Sequence, residues 1–131
     1  ASHSFMFHQI EGLLVDREVK FSDLKGLLTV FCKKLFGEDI RMRFRPHFFP
    51  FTEPSIEVHI RHPVLGWCEL GGSGIFRPEV TRSLGVDVPV LAWGIGIDRM
   101  ALMALGLNDL RELFSADLES VRMRRSQYKI Q

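Results

Sequence analysis

Leu24, Leu27, Leu28, Phe31 and Leu35 recur at spacings of three and four, the period of a helix with one apolar stripe. Ser22 stands before the stripe as an N-cap. Lys33 and Lys34 fall in its last turn, where cations complement the helix dipole, and Gly37 follows where a left-handed residue can end it. Residues 5–16 follow another rhythm. Polar His8, Gln9 and Glu11 interleave with Phe7, Ile10, Leu13 and Val15, which predicts a strand with one solvated or functional face. Further strands are predicted at 40–45, 55–61 and 67–70, punctuated by Pro46, Pro50, Pro54 and Pro63. Gly71-Gly72-Ser73-Gly74 closes the last of them, read as a turn at least as readily as bare backbone for close approach to a ligand. Arg77-Pro78-Glu79 opens a helix, residues 88–92 make a short apolar strand, and Gly94-Ile95-Gly96 leads into a helix over 97–105 ended by Gly106. Asn108 caps one more helix, through Phe114. Strands joined by short turns, with helices inserted between them, predict an α+β fold on a mostly antiparallel sheet.

Composition narrows the function by exclusion. Seventeen basic against sixteen acidic side chains leave a net charge of +1, which argues against a protein that coats nucleic acid by charge alone. The same balance leaves room for an enzyme that holds one RNA end in a small site. Cys32 and Cys68 lie far apart with no CxxC partner, so a cysteine zinc site or a disulfide scaffold is not expected. No apolar run approaches the ~20 residues needed to span a bilayer, and no signal-peptide layout opens the chain. Ala1-Ser2-His3 runs straight into an apolar segment, and on this reading the chain is cut from something longer. Arg122, Arg124, Arg125 and Lys129 make a small basic cluster, read as a solvated tail.

Candidate chemistry gathers in three places. Gln9 and Glu11 share one face of the first strand, because side chains there alternate with period two. A carboxylate beside an amide suits an ammonium group, one giving charge and the other orientation; a polar face open to water is the plain alternative. In Phe48-Phe49-Pro50-Phe51-Thr52-Glu53-Pro54-Ser55, two prolines stiffen a loop that presents rings and a carboxylate. Such rings can line a pocket for an apolar side chain or can simply fold under the sheet. Gly94-Ile95-Gly96-Ile97-Asp98-Arg99 lacks the third glycine and the βαβ setting of a dinucleotide fingerprint. It reads instead as a strand packed on a helix start, with Arg99 on the first turn as a surface charge or a phosphate ligand. Five histidines show no metal-ligand spacing.

The order of these stretches is more specific than any of them. Phe7-His8-Gln9-Ile10-Glu11-Gly12, then Phe49-Pro50-Phe51-Thr52-Glu53-Pro54-Ser55, then Gly94-Ile95-Gly96-Ile97-Asp98-Arg99 closely resemble the α subunit of phenylalanyl-tRNA synthetase. Asp23-Leu24-Lys25-Gly26 and Arg43-Phe44-Arg45-Pro46 resemble it too, and the similarity runs from about Ser2 to Arg125. Phe76-Arg77-Pro78-Glu79 and Ala92-Trp93-Gly94 look more like the archaeal and eukaryotic branch. The resemblance implies a class II synthetase fold, an antiparallel sheet flanked by helices. It covers residues 1–131 as one partial catalytic domain, from the second-motif strand to the third motif and a C-terminal helix, incomplete at its N-terminal side. The implied function is ATP-dependent ligation of phenylalanine to its tRNA through a phenylalanyl-adenylate. By motif, Gln9 and Glu11 would hold the substrate ammonium, while Phe49, Phe51 and Phe76 would line the ring pocket over an Ala92 floor. Phe7 would stack on adenine, His3 would approach the phosphates, Arg99 would be the catalytic arginine on the γ-phosphate, and Glu53 would be a magnesium-associated carboxylate. The implied partners are phenylalanine, ATP, the acceptor end of the phenylalanine tRNA and a β subunit, in a cytoplasmic heterotetramer of two α and two β subunits.

Two other readings stay open at this point. The first class II motif and the start of the second, with its α-phosphate arginine, are missing, so the chain can instead be a catalytically incomplete module that binds phenylalanine, adenylate or a partner subunit. A phosphoserine or pyrrolysine ligase is the other, and phosphoserine would need donors where Phe49, Phe51 and Ala92 stand.

Overall fold

A computed structural model describes residues 5–63, 66–105, 107, 109–114, 116–119 and 122. The chain divides into two compact units, residues 11–95 and residues 1–10 with 96–131. The larger is built on a five-stranded sheet: β1 (Gln9–Val15), β2 (Met42–Phe49), β3 (Thr52–His62), β4 (Gly66–Phe76) and β5 (Val90–Gly96), in the order β1-β5-β4-β3-β2. The pairs β2–β3, β3–β4 and β4–β5 are antiparallel. Inserted among the strands are α1 (Phe21–Phe36) and the single-turn α2 (Pro78–Thr81), the latter running into a 3-10 turn, Arg82–Leu84. The expected α+β architecture is present.

Helix α1 shows why the sheet has two unlike faces. Leu24, Leu28 and Cys32, spaced four apart, are fully buried, whereas Leu27 and Leu35 remain 39% and 52% exposed. The buried stripe is therefore narrower than the sequence predicts, and Cys32 replaces Phe31 and Leu35 in it. Lys25 of α1 reaches 5.8 Å from the Phe44 ring centre, so the helix covers the sheet face that carries Phe44. Register places Val58, Gly71 and Ile95 in the same row as Phe44, and Val58 and Ile95 are completely buried there. The start of α1 also differs from expectation. The helix begins one residue before Ser22, and the Asp23 carboxylate accepts the Lys20 N–H at 2.6 Å, so the cap is the reach-back half of a capping box. Gly37 ends it at φ 97°, open to glycine at little cost.

Two sequence expectations about the strands are corrected. Gly71-Gly72-Ser73-Gly74 lies inside β4, paired on both sides, and is no turn. The missing side chains serve close approach instead, as glycine in a strand interior often does. The hydrophobic stretch at Phe48–Phe51 is also less of a loop than predicted. Phe48 and Phe49 end β2, Pro50 and Phe51 make the turn, and β3 starts at Thr52.

In the smaller unit, α3 (Ile97–Ala104) follows β5 directly and a 3-10 helix occupies Leu110–Phe114. The predicted last helix is thus a tighter, shorter element, opened by the Asp109 carboxylate accepting the Arg111 N–H at 2.9 Å. Gly106, expected to end the helix over 97–105, and Asn108, expected to cap the last one, lie outside the described residues, as do Arg124, Arg125 and Lys129.

Candidate active site

The sheet face opposite α1 carries the candidate site. Adjacent rows on it are Arg45, Glu57, Gly72 and Gly94, then His47, Ser55, Gly74 and Ala92. Gly72, Gly74, Ala92 and Gly94 make a patch of nearly bare backbone across β4 and β5. Rings border it. Phe49 and Phe51 stack with centres 5.8 Å apart, and Phe51 meets Phe76 at 6.3 Å, separations at which aromatic pairs attract. Phe49 lies over Gly72, where an added Cβ would stand 2.5 Å from Phe49 Cζ. Ala92 is buried beside Gly74. Three rings around a glycine and alanine floor can receive a flat apolar group and offer no hydrogen-bond partner to its far end.

The turn over this floor is held by hydroxyls. Ser55 Oγ donates to the Thr52 carbonyl at 2.8 Å and receives the Thr52 hydroxyl at 2.6 Å, both buried. Between them the Glu53–Pro54 peptide is cis. The Pro54 carbonyl comes so near Gly74 that an added Cβ would stand 2.5 Å from it. Glu53 itself points outward and pairs with Arg77 at 3.1 Å. Among the described residues no group of three or more His, Cys, Asp or Glu could hold a metal ion.

Glu11 belongs to the same sheet face. Gly12 abuts the Trp93 ring, so these two share a face, and alternation turns Glu11 to the side of Ala92 and Gly94. Gln9, two residues earlier on β1, is exposed like Glu11.

In the smaller unit, Asp98 at the start of α3 takes the His8 N–H at 2.7 Å and faces His8 Nδ1 at 3.2 Å. The His8 carbonyl in turn accepts the Ile97 N–H at 2.9 Å. An acidic side chain at a helix N-terminus is favoured by the dipole, and here it also fixes the backbone next to Phe7. The Phe7 ring stays 62% exposed, able to stack on a flat ligand. Arg99 lies on the first turn of α3, half-buried. His3 lies outside the described residues.

Residues 1–124 match the family described as tRNA synthetases class II core domain (F). The chain belongs to that family. Relatives named phenylalanine–tRNA ligase alpha subunit are 60% identical over 125 residues in Borreliella burgdorferi (95% of this chain, 24% of the relative) and 54% over 124 residues in Treponema pallidum (95% and 22%). Another, from Pyrobaculum calidifontis, is 52% identical over 122 residues (92% and 24%). The chain thus spans about a quarter of the length of the curated relatives it matches.

For this class II core domain, sequence reasoning named Phe49, Phe51, Phe76 and Ala92, and the structure brings these four to one face of one sheet. It did not name His47, Glu57 and His59. Glu57 bridges the other two, Oε1 to His47 Nδ1 at 3.0 Å and Oε2 to His59 Nε2 at 3.1 Å. The hydrogen bond from His59, with the nearby charges of His47, His59 and Arg45, holds the Glu57 carboxyl below its usual range against the opposing effect of burial. The i, i+2 spacing of Glu57 and His59 on a strand was the available signal. Their cross-strand meeting with His47 is set by register alone. Asp98 was likewise overlooked as the residue that clamps His8.

Proposed function

We propose that this chain is the phenylalanine-recognising part of the catalytic core of a phenylalanine–tRNA ligase alpha subunit. The observation that carries the reading is the arrangement of Phe49, Phe51 and Phe76 around the floor of Gly72, Gly74 and Ala92. A benzyl group can lie among these rings, and the ammonium of the same amino acid suits Glu11 with Gln9 on β1. A tyrosine hydroxyl in this pocket would lack a partner, at a cost of about 1–3 kcal/mol. That disfavours tyrosine by roughly 10- to 100-fold, so an editing step elsewhere is expected.

On this reading the phenylalanine carboxylate attacks the α-phosphorus of ATP, displacing pyrophosphate, and the acyl group of the adenylate passes to a hydroxyl at the tRNA acceptor end. The chain contributes position and charge. Phe7 stacks on adenine, Arg99 neutralises charge on the γ-phosphate, and His3 approaches the phosphates. Glu53 is one hard oxygen donor of the kind Mg²⁺ takes, and Mg²⁺ is commonly held by one or two carboxylates together with substrate phosphates. The Arg77 pairing with Glu53 must open for that role. Bound there, the ion would supply charge neutralisation at the phosphates. Both compact units are parts of one partial catalytic domain. Its partner is a β subunit, in a heterotetramer of two of each, in the cytoplasm.

The test is phenylalanine-dependent pyrophosphate exchange, run on this chain and on the natural full-length protein with a β subunit. Exchange by the full-length complex supports the ligase. Absence of exchange from both, with phenylalanine binding retained in calorimetry, would replace it by a module that binds without ligating.

A further inference from the structure

The ring row on the site face continues past Phe49 to His47, whose ring centre lies 4.6 Å from that of Phe49 at 51°. His47 is on edge strand β2 and 41% exposed, so packing by itself fixes it weakly. What fixes it is Glu57 on the neighbouring strand, through the 3.0 Å contact with Nδ1. Glu57 is in turn held through its second oxygen by His59, whose side chain is only 9% exposed. Arg45 stands opposite Glu57 in the register and adds a positive charge to the same row. A buried side chain thus orients an intermediate one, which orients a ring at the rim, which leans on a wall of the pocket. Phe49 draws on that support, because Gly72, against which its ring tip lies, has no side chain to key the ring, and its ring neighbours are Phe51 and His47.

We propose that His47, held by Glu57, is a positioning residue that fixes the Phe49 ring and thereby sets which ring substituents the pocket accepts. The inference rests on the reading of the Phe49, Phe51 and Phe76 cluster as the phenylalanine site. Without the Glu57 contact, His47 turns to solvent and Phe49 slides over Gly72. The pocket then loosens without losing any group that touches ATP.

The experiment uses the natural full-length protein purified with its partner subunit and measures pyrophosphate exchange for His47→Ala, Glu57→Gln and Phe49→Ala. Thermal unfolding is recorded for each. For His47→Ala and Glu57→Gln, KM for phenylalanine rises about tenfold while kcat and KM for ATP stay within about twofold, the pattern of lost ground-state positioning. Discrimination between phenylalanine and para-chlorophenylalanine narrows by a similar factor. If both variants keep the phenylalanine KM and the discrimination unchanged while Phe49→Ala raises KM, the positioning role is wrong and the pocket stands. If Phe49→Ala also leaves KM unchanged, the pocket reading fails and takes the positioning role with it.

Discussion

The Phe49 ring lies against Gly72, so close that any β-carbon at position 72 would stand 2.5 Å from the tip of its ring. The contact joins the two outstanding features of the sequence, its phenylalanine-rich turn and its glycine-rich stretch, on one sheet face.

Gly72→Ala is expected to keep the fold, because the obstructing atoms are the far end of a side chain that can swing aside. Its melting temperature falls by a few degrees, consistent with about 1 kcal/mol of strain, and on the proposed function phenylalanine affinity falls about tenfold because the displaced ring narrows the pocket. Gly71→Ala behaves differently. Its β-carbon meets the Gly94 carbonyl and the Ile95 Cα, backbone atoms of a paired strand that cannot yield. Overpacking of this kind costs about 1–3 kcal/mol or more. Denaturation curves of the two variants should rank Gly71→Ala as clearly the less stable.

Ala92→Gly enlarges the floor next to Gly74. If the proposed function holds, the variant should activate para-substituted phenylalanine analogues better than the parent, by roughly 10-fold or more for one added group of methyl size. Exchange assays with such an analogue and no gain would remove Ala92 from the pocket.

The register of α1 can be checked by paired substitutions. Leu28→Ala removes a fully buried side chain and should cost about 2–5 kcal/mol. Leu27→Ala, one position away but 39% exposed, should cost well under half of that, since surface changes stay near ±0.5 kcal/mol. Equal losses in urea unfolding would mean that the helix is rotated from the orientation described.

Glu57 makes a signed prediction about acid. Its carboxyl titrates lower in the folded protein than in the unfolded chain, first through the His59 hydrogen bond. The contribution is therefore fully present above the unfolded carboxylate value, about pH 4.3, and is lost as pH falls through the depressed folded value. Stability measured from pH 7 to pH 3 should fall more steeply in the parent than in Glu57→Gln. Parallel curves would show that the carboxylate is not held as described.

The two thiols should separate cleanly. Burial pushes the Cys32 thiol up to about 11, so at pH 8 it is almost wholly protonated as well as inaccessible. Cys68 is partly exposed. A disulfide-exchange reagent at pH 8 should titrate one thiol in the native protein and two after denaturation. Between pH 9 and pH 11 the native state should lose stability, because the unfolded chain ionises Cys32 first.

Much of this could be read from local pattern. Apolar spacing located α1, Pro78 located α2, and the ordered stretches around Gln9, Phe49 and Arg99 pointed to a class II core before any geometry was known. These are short-range signals, carried by residues within a few positions of each other. The tertiary structure decided what depends on which strands meet. Gly71-Gly72-Ser73-Gly74 read as a turn because glycine permits one, and only pairing with β3 and β5 shows it to be floor. Leu27 and Leu28 have the same hydrophobicity, and only the direction of the sheet decides which is buried. His47 and Glu57 are ten positions apart with nothing between to link them. The register of β2 on β3 brings them to 3.0 Å. Phe49 and Phe51 could be named as candidates from sequence because they sit at one turn, and Phe76 only through the resemblance. Glu57, whose carboxylate meets the His47 ring, comes from a separate strand, and that proximity exists only once the sheet has formed.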